Sequence, residues 1–167
     1  MPLLRDGRPS DSDPWVLLAD DEPLPALPAG GASSAPVAVS LPRFLAARDG
    51  GRGSTGTVDA AGVRLAPEDD VLALAPHVGQ LLLVAIDFPA YTDGRGFSQA
   101  RLLRERLGFG GEIRAIGDVR PDQVPFMVRA GIDTFEVAEV PDLAQLERGL
   151  SRYRTSYQPS YALPIAG

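Results

Sequence analysis

The run Leu81-Leu82-Leu83-Val84-Ala85-Ile86 is the strongest constraint on this chain. It is apolar throughout, of strand length and without alternation, as in a parallel strand covered on both faces. It is far too short to span a bilayer. Parallel strands need crossover helices, and the following residues supply them. Residues 97–107 place Ala100, Leu103 and Leu107 on one helical face, with Gly108 as the stop. Ile113-Arg114-Ala115-Ile116 is the next strand, ending at Gly117-Asp118. A helix over residues 121–130 ends at Gly131. Pro125 lacks an N–H donor, so the regular helix starts near it or has a distorted first turn. Residues 132–137 form a third strand, and Pro141 opens a last helix with Leu143, Leu146 and Leu150 on one face.

The first half is less regular. Strands are predicted at Trp15-Val16-Leu17-Leu18, at residues 36–41, at Thr57-Val58 and at Gly62-Val63-Arg64-Leu65. Pro42, Phe44, Leu45 and Ala47 suggest a short helix, and Pro67-Glu68-Asp69-Asp70 starts another that stops at Pro76. The expected class is α/β: a mostly parallel sheet built from successive strand–helix units, either doubly wound or a partial TIM-like barrel. Residues 1–35 are an irregular, Pro- and acid-rich N-terminal arm; residues 36–152 are one α/β domain; residues 153–167 are a Tyr- and Pro-containing tail. Tyr153, Tyr157 and Tyr161 of that tail are expected to pack on the body or on a second copy, giving a homodimer.

Composition removes much chemistry. All 16 basic residues are arginine, so a Schiff-base lysine and a Walker-type loop are excluded. There is no cysteine, which excludes thiolate nucleophiles, iron–sulfur clusters and Cys-ligated metals. The one histidine, His77, cannot form a two-histidine metal site, and no metal site is expected. A net charge of −6 argues against nucleic-acid binding. No membrane or export signal is evident, which points to a cytoplasmic protein. Gly51-Arg52-Gly53-Ser54-Thr55-Gly56 spells a dinucleotide fingerprint, but a helix precedes it and a β-branched pair follows. That order is the reverse of what pyrophosphate binding needs, which argues against a nicotinamide cofactor and for a surface loop. No other cofactor can be named.

Ligand sites in such folds form where strands end. The loop over residues 87–98 is long and brings Gly94, Arg95 and Gly96 to a helix start, with Ser98 and Arg101 following. Free N–H groups, the helix dipole and a guanidinium fork together suit a small anion. The competing reading is a turn that pairs Arg95 with Asp87 or Asp93. Asp118 and Gln123 stand on the opposite loops. Asp87, Asp93 and Asp118 are candidate acids or bases should the protein be an enzyme.

The stretch from Asp93-Gly94-Arg95-Gly96-Phe97-Ser98-Gln99-Ala100-Arg101 through Leu102-Leu103-Arg104-Glu105-Arg106 resembles the bacterial domain-of-unknown-function family 934. So do Gly110-Gly111-Glu112-Ile113-Arg114-Ala115-Ile116-Gly117-Asp118-Val119 and Asp122-Gln123. Members are labelled probable oxidoreductases of sulfite reduction because their genes lie beside assimilatory sulfite reductase genes. The resemblance implies an accessory protein of sulfur assimilation that binds a small anion, or a component of the sulfite reductase system, at its strand-end loops. The alternatives are an enzyme, for example an oxidoreductase, acting on a small anionic metabolite, and a partner-binding module without chemistry. Many members carry a cysteine where this chain has Ala130, and Pro125 is a second departure.

Overall fold

The computed structural model of the chain describes residues 3–5, 8–10, 12–23, 35–49 and 62–137. Eight strands form one mixed sheet curled into a half-barrel: β1 (Leu3–Arg5), β2 (Arg8–Ser10), β3 (Val16–Leu17), β4 (Val37–Ser40), β5 (Gly62–Leu65), β6 (Leu83–Phe88), β7 (Glu112–Gly117) and β8 (Thr134–Glu136). Their spatial order is β2-β1-β8-β7-β6-β5-β4-β3. From β3 to β8 each strand pairs in parallel with the next in sequence. A doubly wound sheet reverses its strand order at a switch point. No reversal occurs from β3 to β8, which sets that alternative aside.

Alternation of side chains gives the sheet two different faces. Val63, Leu65, Val84, Ile86, Phe88, Ile113, Ala115 and Phe135 join the core with Phe44 of α1 (Leu41–Asp49), Ala100 of α2 (Arg95–Arg101) and Met127 of α3 (Val124–Arg129). The register aligns Arg64, Ala85, Arg114, Thr134 and Arg5 in one row across the opposite face.

The elements differ from expectation in instructive places. The N-terminal arm contributes a strand pair, because Leu3 and Leu4 are buried where β1 runs antiparallel to β8. The helix expected after Pro67 shrinks to a 3-10 turn, Val71–Leu74. Asp69 accepts the Ala66 N–H at 2.7 Å and Asp70 the Leu72 N–H at 2.9 Å, so both carboxylates close local turns. The helix over residues 97–107 begins at Arg95 and ends in a π turn, Leu102–Arg106, closed by Leu107 N–H to the Leu102 carbonyl at 3.0 Å. Pro125 lies in the first turn of α3, where no donor is needed. The helix thus starts at Val124 and turns Val124 and Met127 inward, leaving Val128 only half-buried. Thr57-Val58, the 51–56 loop, the last helix and the tail tyrosines fall outside the described residues. Among the described residues no helix is long and apolar enough to cross a membrane.

Arg104 ties the second half together. Its guanidinium donates to the carbonyls of Phe109, Gly111 and Gly131 and pairs with Asp133, whose carboxylate also accepts the Ile113 N–H. Gly131 has φ +95°, and a Cβ there would lie 2.6 Å from Arg104 Cγ. The pair is largely but not fully buried, and removing one partner of a fully buried pair costs about 3–5 kcal/mol, an upper bound here. Chemical denaturation of Arg104→Ala should show a loss of about 2–4 kcal/mol. Gly96 meets another packing limit, since a Cβ would sit 2.5 Å from Phe88 Cζ. Overpacking of this kind costs about 1–3 kcal/mol, so Gly96→Ala should melt several degrees below the parent.

Candidate functional site

The parallel strands β5 to β8 end along one edge, and the loops leaving β6 and β7 are fastened to each other there. Gly117 closes β7 with φ +93°, and a Cβ would lie 2.4 Å from the Phe88 carbonyl oxygen and 2.8 Å from Asp87 Oδ1. Only glycine fits this close approach. The next N–H, of Asp118, donates to the Phe88 carbonyl at 2.7 Å. The Asp118 carboxylate accepts the Tyr91 N–H at 3.1 Å, and Gln123 Nε2 donates to the Tyr91 carbonyl at 2.8 Å. Both polar groups of the Tyr91 backbone are therefore held by the β7 loop. The Arg120 guanidinium lies 4.3 Å from the centre of the Tyr91 ring, and its Nε is 3.6 Å from Asp118 Oδ1. Tyr91 remains 47% exposed, so the clasp presents an ordered tyrosine–arginine stack to solvent.

The residues expected to bind an anion divide into three groups. Arg95 is engaged by Asp93: Nη2 to Oδ2 is 2.6 Å and Nε to Oδ1 is 3.0 Å. This partner holds the Asp93 carboxyl below its ordinary value. Gly94 is open to solvent beside the pair, whereas Gly96 is buried against Phe88 and serves packing. Ser98 and Arg101 lie further along, in an open groove of about 430 Å³ between α2 and α3 that Phe97, Phe126, Arg129 and Ala130 also line. Gln123 belongs to the Tyr91 clasp, as does Asp118.

Asp87 stands apart from Asp93 and Asp118. It is the penultimate residue of β6, on the face away from the helices, half-buried, with no hydrogen bond or ion pair among the described residues. Burial pushes its carboxyl up; Arg64 opposes this and Glu68 adds to it. Gln99 is also notable. Its amide nitrogen donates to the Ala66 carbonyl at 2.7 Å and the Asp69 carbonyl at 3.3 Å, while its buried Oε1 has no partner among the described residues. No group of three or more acids or histidines able to hold a metal occurs among the described residues.

Tyr91, Arg120 and the charged row centred on Arg114 carry no motif that marks them from sequence alone. Glu112-Ile113-Arg114-Ala115-Ile116 alternates charged and apolar residues at its start, and that period of two marks a strand with one polar face.

No curated protein matches the chain. The family model described as "Bacterial protein of unknown function (DUF934)" matches residues 62–166, which include β5 to β8, the Tyr91 clasp and the groove between α2 and α3. With that match covering most of its length, the chain belongs to the DUF934 family.

Proposed function

We propose that the protein is an accessory protein of assimilatory sulfite reduction that docks on a component of the reductase system through its strand-end loops. The metabolic role rests on the resemblance drawn from the sequence, whose members are labelled for sulfite reduction; the matching family model is itself described as of unknown function. Read as part of a TIM-like barrel, the half-barrel carries its ligand edge where β5 to β8 end. The observation that supports docking is the clasp. Tyr and Arg are the residue types that most often dominate interface energy. Here they are stacked, exposed and held on a frame made by Asp118 and Gln123. Ordering a mobile side chain costs about 0.5–1.5 kcal/mol on binding, and much of that is already met. Capture of a small anion by Arg95 is less well served, because Asp93 fills its fork.

Calorimetric titration of the full chain into purified sulfite reductase tests this reading. Tyr91→Ala combined with Arg120→Ala should weaken the complex at least tenfold with little change in melting temperature. Ser98→Ala combined with Arg101→Ala should leave it unchanged. An unaffected complex in the first double variant, or saturable sulfite binding lost with Arg101, would overturn it.

The second reading is an enzyme, and Asp87 favours it. Acid–base groups of such folds sit at strand ends, and a carboxyl raised by burial at that position is one mark of such a group. Its folded pKa lies above the ordinary 3.8, so the folded chain keeps a proton that the unfolded chain loses. Stability from this group is greatest at acid pH and falls as pH rises through the folded value. Asp87→Asn should therefore raise the melting temperature at pH 7, by an amount that shrinks toward pH 4. A variant that melts lower at pH 7 would show that the carboxylate is held by favourable contacts.

A further inference from the structure

The face of the sheet away from the helices carries a guanidinium that the strand-end loops do not use. Arg114, in the middle of β7, is fully buried. The sheet itself orients it. Nε and Nη2 donate to Glu112 Oε1 at 3.1 and 3.0 Å, and the Thr134 hydroxyl donates to the same oxygen at 2.7 Å. Glu136 lies 3.5 Å from Nη1, and Arg5 pairs with the other oxygen of Glu112 at 3.1 Å. The terminal pair of the fork is then filled from outside the sheet. Nη1 donates to Asp13 Oδ2 at 2.7 Å and Nη2 to Asp13 Oδ1 at 2.9 Å. Two parallel N–H···O bonds of this kind are how arginine recognises a free carboxylate.

The occupant has the attributes of a ligand. Asp13 belongs to a segment without regular structure, and its side chain is 34% exposed. Two residues on, the Trp15 ring lies in a cradle that only glycine leaves open: a Cβ on Gly62 would be 2.9 Å from the ring and 2.9 Å from Ala38 Cβ. Asp13-Pro14-Trp15 thus places a carboxylate in the fork on β7 and, two residues on, an aromatic ring against Gly62 of β5 on the same sheet. Gly62, Glu112, Arg114, Thr134 and Glu136 lie within the residues that match the family, whereas Asp13 and Trp15 lie outside them. Charge also permits exchange. Arg5 and Arg114 balance Glu112 and Glu136, so any monoanion replacing Asp13 leaves the cluster as it was.

We propose that the Arg114 fork is a binding site for a monoanionic oxyanion, a carboxylate or sulfonate carried on an apolar or aromatic body, and that Asp13 and Trp15 are its internal, displaceable occupant. The site stands on a different face from the clasp and does not depend on the docking reading. An internal occupant lowers apparent affinity by the fraction of molecules in which the site is free, so weakening it must tighten binding.

Trp15 is the only tryptophan in the chain, so its emission reports the segment directly. The full chain is titrated with acetate, methanesulfonate and 3-phenylpropionate, each against sodium chloride of equal ionic strength. The expected result is a saturable red shift of Trp15 emission in the parent chain, with 3-phenylpropionate acting at the lowest concentration. Asp13→Asn should respond at a concentration at least tenfold lower. Arg114→Lys, which keeps the charge but loses the fork, should lose the response while circular dichroism confirms that it folds; if it does not fold, Thr134→Val, which removes a support of Glu112, should weaken the response instead. No saturable change of emission or heat in either the parent or Asp13→Asn would overturn the proposal and leave the ion pair as a fastening of the segment. A response in Arg114→Lys equal to that of the parent would overturn it as well.

Discussion

A parallel sheet whose strands follow one another in order sends every crossover to the same side, because right-handed connections leave no choice. Among the described residues, the helices accordingly cover one face of β3 to β8, and the other face must find a different cover. Much else in the structure answers that constraint. The second face carries a polar row, and its central member, Arg114, would be a buried, unpaired cation without partners from the sheet and from the N-terminal segment. An uncompensated buried charge costs several kcal/mol, so the pairing of Arg114 is a condition of the fold. Burial draws the Arg114 guanidinium down, but its hydrogen bonds to Asp13 and Glu112 hold it up, and it stays charged.

The same constraint separates two kinds of surface. At the strand ends, backbone groups are satisfied between loops, and the exposed Tyr91 and Arg120 are held in place. On the open face, the guanidinium is held by the sheet and closed by a segment that contributes little regular structure. The first arrangement suits a surface that meets a partner; the second suits a site with an exchangeable occupant.

Residues 81–137 were readable because their signals agree with one another. The apolar run of β6, the helical spacing of Ala100 and Leu103, and the glycines at 108, 117 and 131 all punctuate the same order, and those three glycines have positive φ. The N-terminal strands were not readable. Three residues such as Leu3-Leu4-Arg5 cannot display a period, and their stability comes from β8, more than a hundred residues away. The turn after Pro67 failed for a local reason, since a carboxylate that caps a helix start also closes a single turn. At the candidate site, the loops themselves were legible from length and glycine content, but partner choice was not. Arg95 turns to Asp93 within its own loop, whereas Ser98 and Arg101 rotate away into the groove because α2 continues at 3.6 residues per turn. Arg114 was legible as a strand residue, but its role depends on Asp13, which no local pattern connects to it.

The pairing of Asp13 with Arg114 holds the N-terminal segment across the open face. A double-mutant cycle with Asp13→Asn and Arg114→Lys, read by chemical denaturation of the full chain, measures it most directly. A coupling of about 1–3 kcal/mol is expected. Additive effects, within about 0.3 kcal/mol, would contradict it and mean that the segment lies on the sheet without being held there.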